Sequence, residues 1–227
     1  SKELQQQIPG FYLQIPGALG NYVQYLHRSD IFTWIRFGKW AAILNDPVGD
    51  TLAFTAVLQH FARGMAFANT GDPSGAANEL ATMRQKMTEP SLKEPLTPFN
   101  SVYAAALVAE NILAGTMAAN DQQLNKAIGF FKQAAVDEDK LIYNEPRDWL
   151  LPARQYLGAA LIKARLYKEA ITVFTKDLQI NPNNGWSLTG LQTCYRQLKN
   201  ATALAAAQKQ LKAAWSIKDS DIDTAVF

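Results

Sequence analysis

Glycine recurs inside the helix-forming stretches of this chain at a fixed distance from alanine. Gly64 is followed twelve residues later by Ala76, Gly115 by Ala127 and Gly158 by Ala170, and four residues beyond each alanine stand Leu80, Phe131 and Phe174. A glycine in a helix interior costs about 1 kcal/mol relative to alanine, so three in one register call for a compensating contact. Close packing supplies one. Small residues on two antiparallel helices let the backbones approach, and the Leu or Phe that follows fills the space beside them. In each copy the glycine falls on one helix, a polar turn follows, and the alanine and large apolar residue lie one turn apart on the next helix. The unit is a helical hairpin.

The rest of the chain agrees with an all-α class. Strand signals are poor, and helical periodicity is broken by short polar turns such as NTGDPSG, AANDQQ, INPNNG and QLKN. The expected hairpins cover residues 21–46, 51–87, 101–138, 149–181 and 184–216, with 217–227 as a tail, all in one elongated unit. The glycines are 51 and 43 residues apart, so the hairpins carry insertions, TEPSLKEPLTPFN at 88–100 and KLIYNEPRDW at 140–149. Gly38 and Trp40 in WIRFGKW mark the turn of a half unit upstream, and 184–216 reads as a degraded capping unit.

The third copy carries the most features. Leu157 and Gly158 are followed by Tyr167, Ala170, Phe174 and, eight residues further, Pro182. This arrangement resembles the tetratricopeptide repeat, a hairpin of about 34 residues. The wording FGKW, HFARG, EPRDW and NNGWSL, in that order, also resembles a bacterial group of large multi-repeat tetratricopeptide proteins with further helices upstream. The resemblance implies a right-handed α–α superhelix of four to five hairpins that binds proteins or peptides and catalyses nothing. It also implies a concave face built from the first helix of each hairpin: Leu58, Phe61, Met65, Ala68 and Asn69 from one copy; Ala109, Ile112, Thr116, Ala119 and Asn120 from the next; Pro152, Gln155, Ala159, Ile162 and Lys163 from the third.

That face is mostly small and apolar. A clamp for a partner's terminal carboxylate needs several Lys, Arg and Asn side chains, since a desolvated carboxylate must meet charge-assisted hydrogen bonds; an apolar helix or extended peptide suits these residues better. The competing expectation is that inserted segments pack into the groove. The loop residues Glu145, Asp148 and Trp149 are candidates for a second contact surface. A small-molecule receptor using Trp149 and Trp186 to stack a glycan or peptide fragment is the alternative function.

Other polar residues have two readings each. His60, Arg63 and Arg154 face a partner, or pair with carboxylates such as Glu110, Glu145 or Asp148. Glu145 and Asp148 serve as acid and base in a cleft, or Asp148 caps a helix and braces the loop, a role worth about 1 kcal/mol; Asn184 suits the same capping role. Asp219, Asp221 and Asp223 imitate half a calcium loop, but Thr224 stands where glycine is required and no later Glu follows, so a solvated, frayed tail is expected. The doubled QIPG at 7–10 and 14–17 suits two helix starts.

Composition narrows the function classes. A formal net charge of +2 generates no field that argues for nucleic acid or anionic lipid. Cys194 is the single cysteine, which excludes an intrachain disulfide and a multi-cysteine zinc site and leaves both bacterial cytoplasm and periplasm open. Residues 102–119 are nearly long enough to span a bilayer, but Glu110 and Asn111 at the centre favour a buried helix with no integral membrane span. The chain opens on Ser1 instead of Met, so its N-terminus is expected to be trimmed, which leaves a targeting segment open. No HExxH, GxxxxGK[ST] or GxSxG motif occurs and histidines number two, so no cofactor, metal or catalytic set is indicated.

Overall fold

The structure is a computed structural model that describes residues 7–48, 52–217 and 222–226. Asp219 and Asp221 lie outside the described residues. The described residues form eleven α-helices and no strand. Three short helices come first: α1 (Ala18–His27), α2 (Asp30–Arg36) and α3 (Trp40–Leu44). Four antiparallel pairs follow: α4 (Ala53–Thr70) with α5 (Pro73–Lys86), α6 (Val102–Asn120) with α7 (Leu124–Asp139), α8 (Ala153–Lys163) with α9 (Tyr167–Ile180), and α10 (Gly185–Gln197) with α11 (Ala201–Ala214). Each first helix packs on the first helices of its neighbours, and each second helix packs on the next first helix. This is a stack of helical hairpins, in which stability sums over units and their interfaces.

One turn geometry joins the two helices of each pair. Gly71, Gln122, Arg165 and Lys199 have φ between 53° and 85°, and the amide after each donates to the carbonyl five residues back: Asp72 to Phe67, Gln123 to Ala118, Leu166 to Leu161 and Asn200 to Tyr195. That bond closes the preceding helix in a Schellman-type turn. Gly38, at φ 59°, and the bond from Lys39 N to Trp34 O repeat it between α2 and α3, so the expected half unit has the right turn. The region 21–46 nevertheless forms three helices in place of two. Each QIPG precedes a helical start, a 3-10 turn at Gly10–Gln14 and then α1.

Ala76, Ala127 and Ala170 are fully buried. Phe131 occupies the space a β-carbon on Gly115 would need, and Phe174 does so for Gly158. The first copy differs. With Leu80 where the others have Phe, the space beside Gly64 is taken by Leu113 of α6, the next hairpin, 2.5 Å from where a β-carbon would stand.

Helix α6 has the length and composition to cross a membrane, but two thirds of its apolar window is buried inside the protein. Glu110 receives a 2.7 Å bond from Arg84 Nε on α5, and Asn111 reaches Asp137 on α7. The polar residues at its centre thus join it to the two helices beside it, α5 and α7.

Candidate functional site

The face formed by the first helices is divided in two. Its front half is filled by the short helices and the loop before α8. Trp149 stands edge-on between Phe32 of α2 and Phe61 of α4, with ring centroids 5.3 and 5.4 Å away. Tyr25 of α1 packs against Phe32 and stacks on Phe54, and its hydroxyl donates to Arg147 O at 2.7 Å. Burial, reinforced by the charge of Asp148, drives the Tyr25 phenol far above its usual range, so this hydroxyl stays a donor.

Phe61, Met65, Ile112, Gln155, Asp148 and Trp149, expected on a contact surface, are therefore buried, none more than 4% exposed. They belong to the core between repeats and inserted segments. Arg36 explains Gln155: its Nη1 donates to Gln155 Oε1 at 2.5 Å, Gln155 Nε2 donates to Asp177, and Ser187 Oγ donates to the same carboxylate at 2.5 Å. A cation from α2 thus ties α8, α9 and α10 together. The guanidinium also lies 4.6 Å over the Trp186 ring, whose edge meets Trp215. With Trp149 in the core and Trp186 engaged by Arg36 and Trp215, the paired stacking platform expected of a small-molecule receptor is not formed.

The back half of the face opens into a cavity of about 300 Å³. Asn69, Thr116, Asn120, Ile162 and Lys163 line it, at the C-terminal ends of three successive first helices, together with Thr193 of α10. These five come from the expected set. Asn120 Nδ2 donates to Ala68 O at 2.8 Å and sets α6 beside α4; Asn69 bonds back to Met65 O. Phe131 and Tyr156 add aromatic surface to it, and residues 223–226 lie along one side.

A second, polar cavity of about 180 Å³ lies at the loop 141–149, lined by Glu138, Asp139, Asp148, Arg154 and Asp177 among others. Glu145 is exposed and not part of it, so Glu145 and Asp148 do not face a common cleft as an acid and base would. Asp148 does not cap a helix either. α8 begins at Ala153, and the Asp148 carboxylate accepts from Thr97 Oγ1 at 3.0 Å and Asn100 Nδ2 at 2.6 Å. It braces the two inserted loops against each other. The cap of α8 comes from the previous hairpin: Ala153 N donates to Glu138 Oε2 at 2.8 Å. Burial lifts the Glu138 carboxyl to about 7, against the opposing bond from Ala153. Asn184 does cap α10, accepting from the Trp186 and Ser187 amides.

His60 and Arg63 are paired within their own hairpin. Glu79 of α5 lies 2.6 Å from His60 Nδ1 and accepts from Arg63 Nε at 2.7 Å. Burial works to raise Glu79, yet these two bonds outweigh it and hold its carboxyl below the usual range. The expected partners were others: Glu110 pairs with Arg84, Asp148 with Thr97 and Asn100, and Arg154 meets Asp139 at 2.5 Å. Cys194 is fully buried and its thiol is pushed up to about 11 by that burial, which makes it a packing residue.

The sequence gives no structural role to Glu79, Glu138 or Arg36, and it suggests a solvated tail where Ala225 is buried and Val226 packs on the core. Only Glu79 carried a signal, since it stands three residues after the alanine that faces its partner helix. No protein-family profile matches the chain, and neither does any curated protein. Among solved structures it is similar to one titled "MamA MSR-1 C2", at 20% identity over 84% of this chain and 94% of that one, with a TM-score of 0.42.

Proposed function

We propose that the chain is a non-enzymatic protein-interaction scaffold of the tetratricopeptide type, and that its contact surface is the open half of the groove. One observation carries this reading. Asn69, Asn120 and Lys163, equivalent positions on three consecutive first helices, converge with Thr116 and Ile162 on one cavity of about 300 Å³. Its walls mix apolar carbons with amide, hydroxyl and ammonium groups. That combination suits an extended segment, whose backbone needs hydrogen bonds while its small side chains need apolar pockets. Glu145, exposed on the loop 141–149, sits apart from this groove and adds a second polar contact for a larger partner.

Site-specific photo-crosslinking tests it. A photoreactive residue at Ile162 or Lys163 should capture a discrete protein from extract of the source organism, and one at Lys132, exposed on α7, should not. Equal capture from both positions, or none at the groove, contradicts the reading.

A further inference from the structure

The open half of the groove is occupied along one side by the chain itself. Residues 222–226 form neither helix nor strand, yet Ala225 is 6% exposed and Val226 packs against the core. Together with Asp223 and Thr224 they share the cavity lined by Thr116, Asn120, Ile162 and Lys163. We infer that this segment is an intramolecular occupant, and that the groove's partner is an extended peptide of the same chemistry: an acidic residue followed by small apolar ones.

Three observations support this. Ala225 and Val226 bury a small apolar area, set against the entropy of fixing five residues, so the segment holds its place largely because it is tethered. A tethered segment acts at millimolar effective concentration, which blocks weak competitors and yields to a partner with a longer contact. Asp223 on the segment and Lys163 on the wall border the same cavity with opposite charge, which favours an acidic peptide over a basic one. Finally, the front half of the face is closed by Trp149 and α2, so the place held by the tail is where a partner chain can enter.

The inference rests on the groove being the contact surface, and the test separates the two. A fluorescent peptide with the sequence of residues 219–227 is titrated into the full chain, into a chain ending at Ser216, and into the full chain carrying Ala225→Arg, which expels the tail without removing it. Binding to the shortened and Ala225→Arg chains should be at least tenfold tighter than to the full chain, and a peptide with the matching Ala→Arg change should not bind. Should the shortened chain fail to fold by circular dichroism, Ala225→Arg carries the comparison. Equal binding to all three proteins, or binding to none that is folded, overturns the inference. Capture of the same protein at Lys163, in equal yield with and without the tail, also overturns it while leaving the scaffold reading intact. Tail-dependent peptide binding with no capture at Lys163 supports the occupant and removes the scaffold reading alone.

Discussion

Phe174 fills the space that a β-carbon on Gly158 would need, and the same ring does so for Gly190 on the next hairpin. One fully buried side chain thus sets the spacing of α8, α9 and α10. Gly158→Leu forces that ring out and should cost about 3 kcal/mol by overpacking. Phe174→Ala should cost about 4 kcal/mol through the cavity it leaves. In a double-mutant cycle, Gly158→Ala should be far less harmful beside Phe174→Ala than in the parent. Additive losses in urea denaturation would mean that ring and glycine do not share this contact.

The left-handed turns carry a correctable cost. Gln122, Arg165 and Lys199 sit at positive φ where Gly71 sits without penalty, and a side chain there costs on the order of 1 kcal/mol. Arg165→Gly should leave stability unchanged or raise it by up to about 1 kcal/mol, because the steric gain opposes glycine's greater unfolded-state entropy. Gly71→Ala should lower it. Thermal melts in which Arg165→Gly lost more than Gly71→Ala would reverse the assignment.

Glu138 gives stability a pH dependence of one sign. Its carboxyl is raised from 4.5 to about 7 in the folded chain, so between those values the folded state holds a proton that the unfolded state has lost. The contribution is full below pH 4.5 and fades as pH rises through 7. Glu138→Gln keeps an acceptor for the Ala153 amide without the buried charge. It should gain on the order of 2 kcal/mol over the parent on going from pH 5 to pH 8. A parallel pH profile for parent and variant would contradict the buried cap.

Glu79 acts in the opposite direction. Its carboxyl is lowered, so its contribution is present above the unfolded value of 4.5 and is lost as pH falls through the folded value. Glu79→Ala strips the carboxylate from His60 and Arg63 and should cost about 2 kcal/mol near neutrality, with the gap to the parent shrinking on acidification. A gap that widened in acid would show that His60 and Arg63 do not stabilise the ionised carboxylate.

Within a hairpin, the fold was legible because its contacts are local. Gly115 with Phe131 and Gly158 with Phe174 are close in sequence, and fixed spacing marks them. Gly64 departs because its neighbour, Leu113, comes from another unit. The left-handed turns left no composition signal where Gln, Arg and Lys replaced glycine. The candidate site was half legible. Family-like spacing located Asn69, Asn120, Ile162 and Lys163 on one face, but periodicity cannot reveal that Phe32 and Trp149, far apart in sequence, meet on Phe61 and close the rest. Asp148 precedes a helical pattern, which suggests a cap; its donors, Thr97 and Asn100, lie in the other inserted loop.

The divided face can be tested by thiol accessibility, since Cys194 is fully buried and gives a quiet background. Single substitutions Ala109→Cys and Met65→Cys probe the closed half, and Asn69→Cys and Lys163→Cys the open half. In the folded chain, maleimide should react with the two open positions at near free-thiol rates and with the two closed ones at least a hundredfold (about 2.7 kcal/mol of protection) more slowly. Comparable rates at all four would contradict the account, because the groove would then be open along its whole length and Trp149 would not seal it.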